Sequence, residues 1–188
     1  MPFEFEKTPI ADLVIVRPRV FHDERGWFRE NYKRSEFVAN GISAEFTQDN
    51  LSFSSKGTLR GLHFQTGTAA QGKLVTVLQG AAWDVAVDLR AGSPTWGKWF
   101  GLELSAENQL CFYIPPSFAH GFVSLQDNTL FTYKCTAEYN KAAEGGLRWD
   151  DPQLAISWPI NDVQVSEKDA VLPFLDSSVQ LQLQPTLM

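Results

Sequence analysis

The stretch Lys73-Leu-Val-Thr-Val-Leu78, the turn Gln79-Gly80, and then Trp83-Asp-Val-Ala-Val-Asp-Leu89 decide the fold class. Both runs are short, apolar and rich in β-branched residues, and a turn dipeptide divides them. That is the pattern of paired strands. The pattern continues outward in Trp99-Phe-Gly-Leu-Glu-Leu104, Leu110-Cys-Phe-Tyr-Ile114 and Leu130-Phe-Thr-Tyr-Lys-Cys135. Turn residues bound these runs at Ala91-Gly92-Ser93-Pro94, Pro115-Pro116-Ser117 and Gln126-Asp127-Asn128. Strands spaced at roughly 10–15 residues, with no helical pattern between them, predict a β-sandwich or barrel. The best helical segment is Arg34 to Asn40, with Ser35 as N-cap and Gly41 as the stop. Ser166-Glu-Lys-Asp169 resembles a capped turn, and Ser105-Ala-Glu-Asn108 a turn or helical turn. The expectation is a mainly β chain with one to three short helices and a loosely held last dozen residues.

At 188 residues and 44% hydrophobic, the chain has enough apolar mass for one domain spanning 1–188, with a barrel core over about 45–160. A net charge of −6 disfavours a non-specific nucleic-acid binder. No apolar run approaches the ~18 residues of a membrane span. The acidic start, Met1 to Lys7, lacks the apolar core of a secretory leader. Cys111 and Cys135 have no CxxC spacing, so neither a disulfide framework nor an oxidising compartment is expected.

Any imidazole chemistry must draw on His22, His63 and His120. In Leu59-Arg60-Gly61-Leu62-His63-Phe64-Gln65, strict alternation places Leu59, Gly61, His63 and Gln65 on one face and Arg60 on the other. A bulge at Gly61 would reunite Arg60 with His63. His63 reads either as a packed, hydrogen-bonded residue or as a general base, because its ordinary pKa lies near neutrality. Tyr133 reads as structural or as an acid. Lys73 is either a snorkelling edge residue or a pocket cation. Asp23-Glu-Arg25-Gly-Trp-Phe-Arg-Glu30 is a charged turn followed by aromatics, and Gln48-Asp49-Asn50 is an amide-rich segment suited to hydroxyl and phosphate recognition or to an ordinary loop.

Ile114-Pro-Pro-Ser-Phe-Ala-His120-Gly-Phe122 resembles the second cupin motif, P-x-G-x-x-H, with Ser117 where glycine is usual. A cupin metal centre needs an H-x-H and a carboxylate in the first motif; here that stretch holds only His63, so no metal is expected.

Phe46-Thr-Gln-Asp-Asn50, Leu59–Gln65, Gly72-Lys-Leu-Val75, Asp84-Val-Ala-Val-Asp-Leu-Arg90, Ser93-Pro-Thr-Trp-Gly97, Ile114–Phe122, Tyr133-Lys134, Glu138-Tyr-Asn140, Trp149-Asp-Asp-Pro152 and Ser166–Asp169 occur in one order. Together they closely resemble the dTDP-4-dehydrorhamnose 3,5-epimerases, from about Phe21 to Leu175. The resemblance implies a metal-free, cupin-like jelly-roll barrel, a cytoplasmic homodimer and no cofactor. It implies inversion of C3 and C5 of dTDP-4-dehydro-6-deoxy-D-glucose to give dTDP-4-dehydro-L-rhamnose. The alternative is a 3- or 5-mono-epimerase of a related dTDP-4-ketosugar.

By the same resemblance His63 is the base, Tyr133 the acid, and Asp169 the carboxylate that orients His63, with Asp84 a second candidate for that carboxylate. Lys73 and His120 lie near the sugar, and Arg60 contacts diphosphate or sugar. Arg25 and Glu30 are nucleotide contacts, and Gln48, Asp49 and Asn50 form a substrate loop. Tyr139 stacks on thymine, and Glu144 and Lys168 add contacts. The N-terminal segment, 1–45, is expected at the dimer interface, with Arg25 or Glu30 crossing into the neighbouring site.

Overall fold

The computed structural model describes residues 2–176 and residue 179. In chain order the strands are β1 (Phe3–Lys7), β2 (Val14–Pro18), β3 (Val20–Asp23) and β4 (Gly26–Arg29); helix α1 (Arg34–Ala39) follows. Next come β5 (Gln48–Ser54), β6 (Leu59–Gln65), β7 (Lys73–Gln79), β8 (Ala81–Asp88) and β9 (Trp99–Ser105). Then β10 (Cys111–Ile114), β11 (Phe118–Ser124), β12 (Thr129–Cys135), β13 (Glu144–Gly146) and helix α2 (Glu167–Ala170) complete the described elements. Every strand expected between residues 73 and 135 forms. The expectation of a loose last dozen residues falls outside the described part, Val179 apart.

The strands build two antiparallel sheets, β1-β2-β10-β7-β12-β5 and β13-β6-β11-β8-β9, with β3 and β4 as a separate hairpin. The barrel expected over 45–160 is extended at its front, because β1 and β2 join the larger sheet through β10. Between the sheets, Val75, Val77, Phe112, Ile114 and Phe131 of the larger one face Ala82, Ala86, Leu102, Leu104, Phe118 and Phe122 of the smaller. Phe122 and Phe131 stack with centroids 4.0 Å apart, tying the two walls together at the barrel floor. Each such fully buried large side chain contributes about 1.5–3 kcal/mol.

The outer face of the smaller sheet is buried as well. Leu62, Phe64, Val85, Val87 and Ala119 pack under Leu147, Leu154 and Leu175, with Trp83, Trp96, Trp99 and Trp158 alongside. Burial on both faces explains why β8 and β11 read as nearly continuous apolar runs.

Helix α1 starts at Arg34 as expected, but its N-cap lies two residues before Ser35. Lys33 is the N-cap, with extended backbone and no side-chain cap bond, and Ser35 lies inside the helix. The anchor is Phe37, fully buried and edge-on to Phe3 at 5.4 Å, Phe5 at 5.2 Å and Tyr32 at 4.8 Å. Tertiary packing of that ring outweighs a local cap preference. Ser166 does cap α2, its hydroxyl accepting from the Asp169 N–H at 3.0 Å.

Candidate active site

The site starts from an irregularity in β6. His120 of β11 pairs with His63, but Phe122 pairs with Arg60, so two residues of β6, Gly61 and Leu62, stand opposite one of β11, Gly121. That bulge turns Arg60 and His63 to the same side. It requires glycine: Gly61 has φ +128°, and a Cβ there would lie 2.5 Å from the Gly121 Cα and 2.8 Å from the His120 carbonyl oxygen. Leu62 and Phe64 go to the outer core, and Arg60 and His63 to a cavity inside the barrel.

This cavity, about 500 Å³, is lined by Arg60, His63, Lys73, His120, Tyr133, Lys168 and Asp169, with Ser52, Thr58, Leu59, Phe122, Gln164, Val165 and Ser166. A smaller space of about 120 Å³ shares His63, Lys73 and Tyr133 and adds Gln65, Gln71, Tyr139 and Glu144. His63 comes from the smaller sheet and Tyr133 from the larger, so an imidazole and a phenol hydroxyl approach from opposite walls.

His63 Nε2 lies 2.7 Å from Asp169 Oδ1, and Gly61 N–H donates to Asp169 Oδ2 at 3.3 Å. Burial works to raise the Asp169 pKa, but the bond to His63, its charge, the Gly61 N–H and Ser166 outweigh it, and the carboxyl sits below its ordinary value. The Asp169 side chain is 5% exposed and that of His63 33%, so an ionised carboxylate backs an imidazole that opens to solvent. The choice between Asp169 and Asp84 as the partner of His63 resolves geometrically: Asp84 Oδ2 is bonded instead to His120 Nε2 at 2.8 Å.

Tyr133 has its pKa raised, first by burial and then by Cys135, with Arg60 opposing, so its phenol holds its proton. Lys73 is buried at the start of β7, its Nζ 5.9 Å from the Tyr133 ring centroid. Burial lowers its pKa, while Cys135 and Asp84 act to raise it. Lys73 therefore lines the pocket and is not an edge residue snorkelling outward.

The residues expected to contact the nucleotide divide. Lys168 Nζ meets Glu144 Oε1 at 2.5 Å, and the Tyr139 hydroxyl donates to Glu144 Oε2 at 3.0 Å. These three form a linked group at the cavity mouth. Gln48 and Asn50 face inward but brace the site instead of lining either space. Gln48 Oε1 accepts from the Tyr139 N–H at 2.8 Å, and Asn50 Nδ2 donates to Cys135 Sγ at 3.5 Å. Asp49 lies on the opposite face of β5, paired with Lys134 at 2.9 Å, as period-2 alternation demands. Arg25 sits at the β3–β4 hairpin tip, paired with Asp23, and Glu30 follows β4; neither lines the cavity of its own chain.

Thr58, Phe122, Gln164 and Val165 line the cavity without having been singled out in the sequence. Ser52 was within reach of sequence reasoning, because it shares the inward face of β5 with Gln48 and Asn50. Ser117 adopts φ 72°, a left-handed conformation that explains why glycine is usual at its place in the motif. Among the described residues, no three His, Cys, Asp or Glu side chains cluster as metal ligands. Both cavity imidazoles already have a carboxylate at Nε2.

A cupin-like barrel whose opposed walls bring together an Asp-backed histidine, a protonated tyrosine and a buried lysine is a frame for proton transfer on a carbonyl compound. The family model for dTDP-4-dehydrorhamnose 3,5-epimerase matches residues 7–177, and the chain belongs to that family. It is 48% identical over 170 residues to the dTDP-4-dehydrorhamnose 3,5-epimerase of Methanothermobacter thermautotrophicus, covering 89% of this chain and 91% of that protein. The crystal structure of the Elizabethkingia anophelis enzyme of that name superposes with a TM-score of 0.89 at 50% identity, covering 93% of this chain and 97% of the other. The Legionella pneumophila dTDP-6-deoxy-D-glucose-3,5-epimerase, solved in complex with dTDP-4-keto-L-rhamnose, gives a TM-score of 0.91 at 44% identity, covering 99% of this chain and 100% of the other.

Proposed function

We propose that this chain inverts C3 and C5 of dTDP-4-dehydro-6-deoxy-D-glucose to give dTDP-4-dehydro-L-rhamnose. The observation that carries the reading is the cavity itself: His63 with Asp169 on one wall and Tyr133 with Lys73 on the other, in a chain 48% identical over 170 residues to an enzyme of that name. The C4 ketone acidifies the protons on C3 and C5. His63 removes one of them, and Asp169 stabilises the imidazolium that forms. The electrons move into the ketone as an enolate, whose oxygen Lys73 meets with positive charge. Tyr133 returns a proton from the opposite face, and the carbon is inverted. The ketone is the electron sink, so the reaction uses no cofactor and no metal.

Arg60 and Lys168 are cations suited to the diphosphate, and Tyr139 stands exposed at the mouth as a stacking surface for the base. Gln48, Asn50 and Glu144 hold that mouth in shape. The working unit is a homodimer. The hairpin exposes Phe21, Trp27 and Phe28, and the edge strand β5 exposes Leu51 and Phe53 beside an unpaired row of backbone groups. A second copy covers both, and it gives Arg25 and Glu30 a neighbouring cavity to reach. Unpaired Cys111 and Cys135 suit a reducing cytoplasm.

The test is proton NMR of the product formed from dTDP-4-dehydro-6-deoxy-D-glucose in deuterated buffer containing a strong chelator. Deuterium and inversion at both C3 and C5, with turnover unchanged by the chelator, are expected. Inversion at a single centre makes the chain a mono-epimerase. Loss of turnover that a divalent metal restores overturns the cofactor-free mechanism.

A further inference from the structure

Asp84 has no part in the chemistry above, yet it is fully buried on β8. One carboxylate oxygen meets His120 Nε2 at 2.8 Å and the other has no hydrogen-bond partner. A buried carboxylate is costly, and keeping one calls for a return. Its partner His120 lines the cavity and is the direct cross-strand neighbour of His63. Two histidine–carboxylate pairs thus stand side by side on one wall, and they are not equivalent. The His63 side chain is 33% exposed and that of His120 only 6%.

The groups facing His120 are Asp84 from β8, His63 from β6, Lys73 from β7, and the rings of Phe131 and Tyr133 from β12. Burial lowers its pKa, with Lys73 and His63 adding to the effect and Asp84 opposing, so the imidazole is neutral. A neutral imidazole carries one N–H, and a carboxylate oxygen 2.8 Å away is its natural acceptor. The proton therefore sits on Nε2, toward Asp84. Nδ1 is left with a lone pair and, among the described residues, no protein donor.

We propose that Asp84 is a positioning residue: it locks His120 as the Nε2–H tautomer, so that Nδ1 becomes a fixed acceptor for a sugar hydroxyl and not a second base. The inference rests on the keto-sugar reading of the cavity. It adds a rule of orientation. A ketone or enolate oxygen cannot donate to Nδ1 and is repelled by its lone pair, whereas a hydroxyl is drawn to it. Lys73, on the opposite sheet, has the reverse preference. Hydroxyl toward β11 and ketone toward β7 is then the orientation the site accepts.

The chain has three histidines, so nitrogen-15 NMR of the labelled imidazoles is tractable, with a His63→Asn sample to assign the signals. In the wild-type protein His120 should show a single neutral Nε2–H tautomer at about pH 6.5, where a free histidine is half protonated. Adding a dTDP-hexose that lacks the ketone, and so cannot turn over, should shift Nδ1 in the direction of hydrogen-bond acceptance, and dTDP alone should not. Asp84→Asn should repopulate the Nδ1–H tautomer and lower kcat about 10–100-fold with dTDP affinity kept, as loss of an orienting interaction does. His120→Gln should add little further loss in that background. An imidazolium or an Nδ1–H tautomer in the wild-type protein overturns the proposal without need of any variant. An Asp84→Asn protein with lost turnover but the wild-type tautomer also overturns it. Failure of the sugar nucleotide to bind at all, with the tautomer as expected, removes the keto-sugar reading and leaves the Asp84–His120 geometry standing.

Discussion

Asp169→Asn isolates the charge behind the base. The substitution keeps shape and leaves an oxygen to accept from the Gly61 N–H, now 3.3 Å from Oδ2, so the β6 bulge stays supported. What is lost is the ionic partner of His63 at 2.7 Å. A hydrogen bond to a charged group contributes about 1.5–3 kcal/mol, and each ~1.4 kcal/mol is a factor of ten in rate. The 33% exposure of the His63 side chain admits water that screens part of this. The expected fall in kcat is therefore about 10–100-fold, smaller than the ~10²–10⁴-fold of removing a general base itself. Affinity for dTDP should stay at the wild-type value, because Asp169 faces the sugar end.

Stability supplies a second readout with its own sign. The folded Asp169 pKa lies below its unfolded value of about 3.9. Its contribution is therefore complete above that value and is lost as pH falls through the folded pKa. Between about pH 4 and more acidic conditions, denaturant midpoints should fall further for the wild-type protein than for Asp169→Asn. A kcat within twofold of wild type, or dTDP affinity that falls in step with kcat, would refute the orienting role. Parallel loss of stability in acid would refute the depressed carboxyl.

Tyr133→Phe keeps the ring and deletes the hydroxyl. Proton abstraction by His63 should survive in part while reprotonation fails, so that solvent deuterium enters the sugar faster than the centre inverts; equal loss of both assigns Tyr133 to enolate stabilisation instead. Subunit mixing tests the shared site. Arg25→Ala and His63→Asn proteins are each expected to be inactive, and exchange of subunits should return activity in heterodimers that hold one intact site. Heterodimers that form, by native mass spectrometry, without regaining activity would show that Arg25 serves its own chain.

The barrel was legible because burial on both faces leaves a plain signature. β7, β8, β10 and β12 are runs of β-formers closed by turn residues, and local pattern and tertiary demand agree. β1 and β2 were not read as strands, since their membership depends on pairing with β10, distant in sequence. The α1 cap failed for a related reason: Phe37 is fixed by rings from β1 and from the loop before the helix, which no local rule contains. Residues 48–50 were read as one contiguous substrate loop, whereas alternation along β5 puts Asp49 on the face opposite Gln48 and Asn50.

The active site shows where period-2 reasoning stops. Strict alternation separates Arg60 from His63, and only the bulge reunites them. The bulge in turn depends on Gly61, with a backbone few other residues adopt, and on Gly121, whose own Cβ would lie 2.8 Å from the Arg60 carbonyl oxygen. The same Gly61 presents its N–H to Asp169. One irregular residue thus turns Arg60 and His63 into the cavity and holds Asp169 against the His63 imidazole. Across the ladder from His63, His120 meets a separate carboxylate from β8, and the wall carries two histidines of different burial. A residue-by-residue inventory marks both as imidazoles near a sugar. What sets them apart is burial and which acid each one meets, and those are properties of the packed barrel.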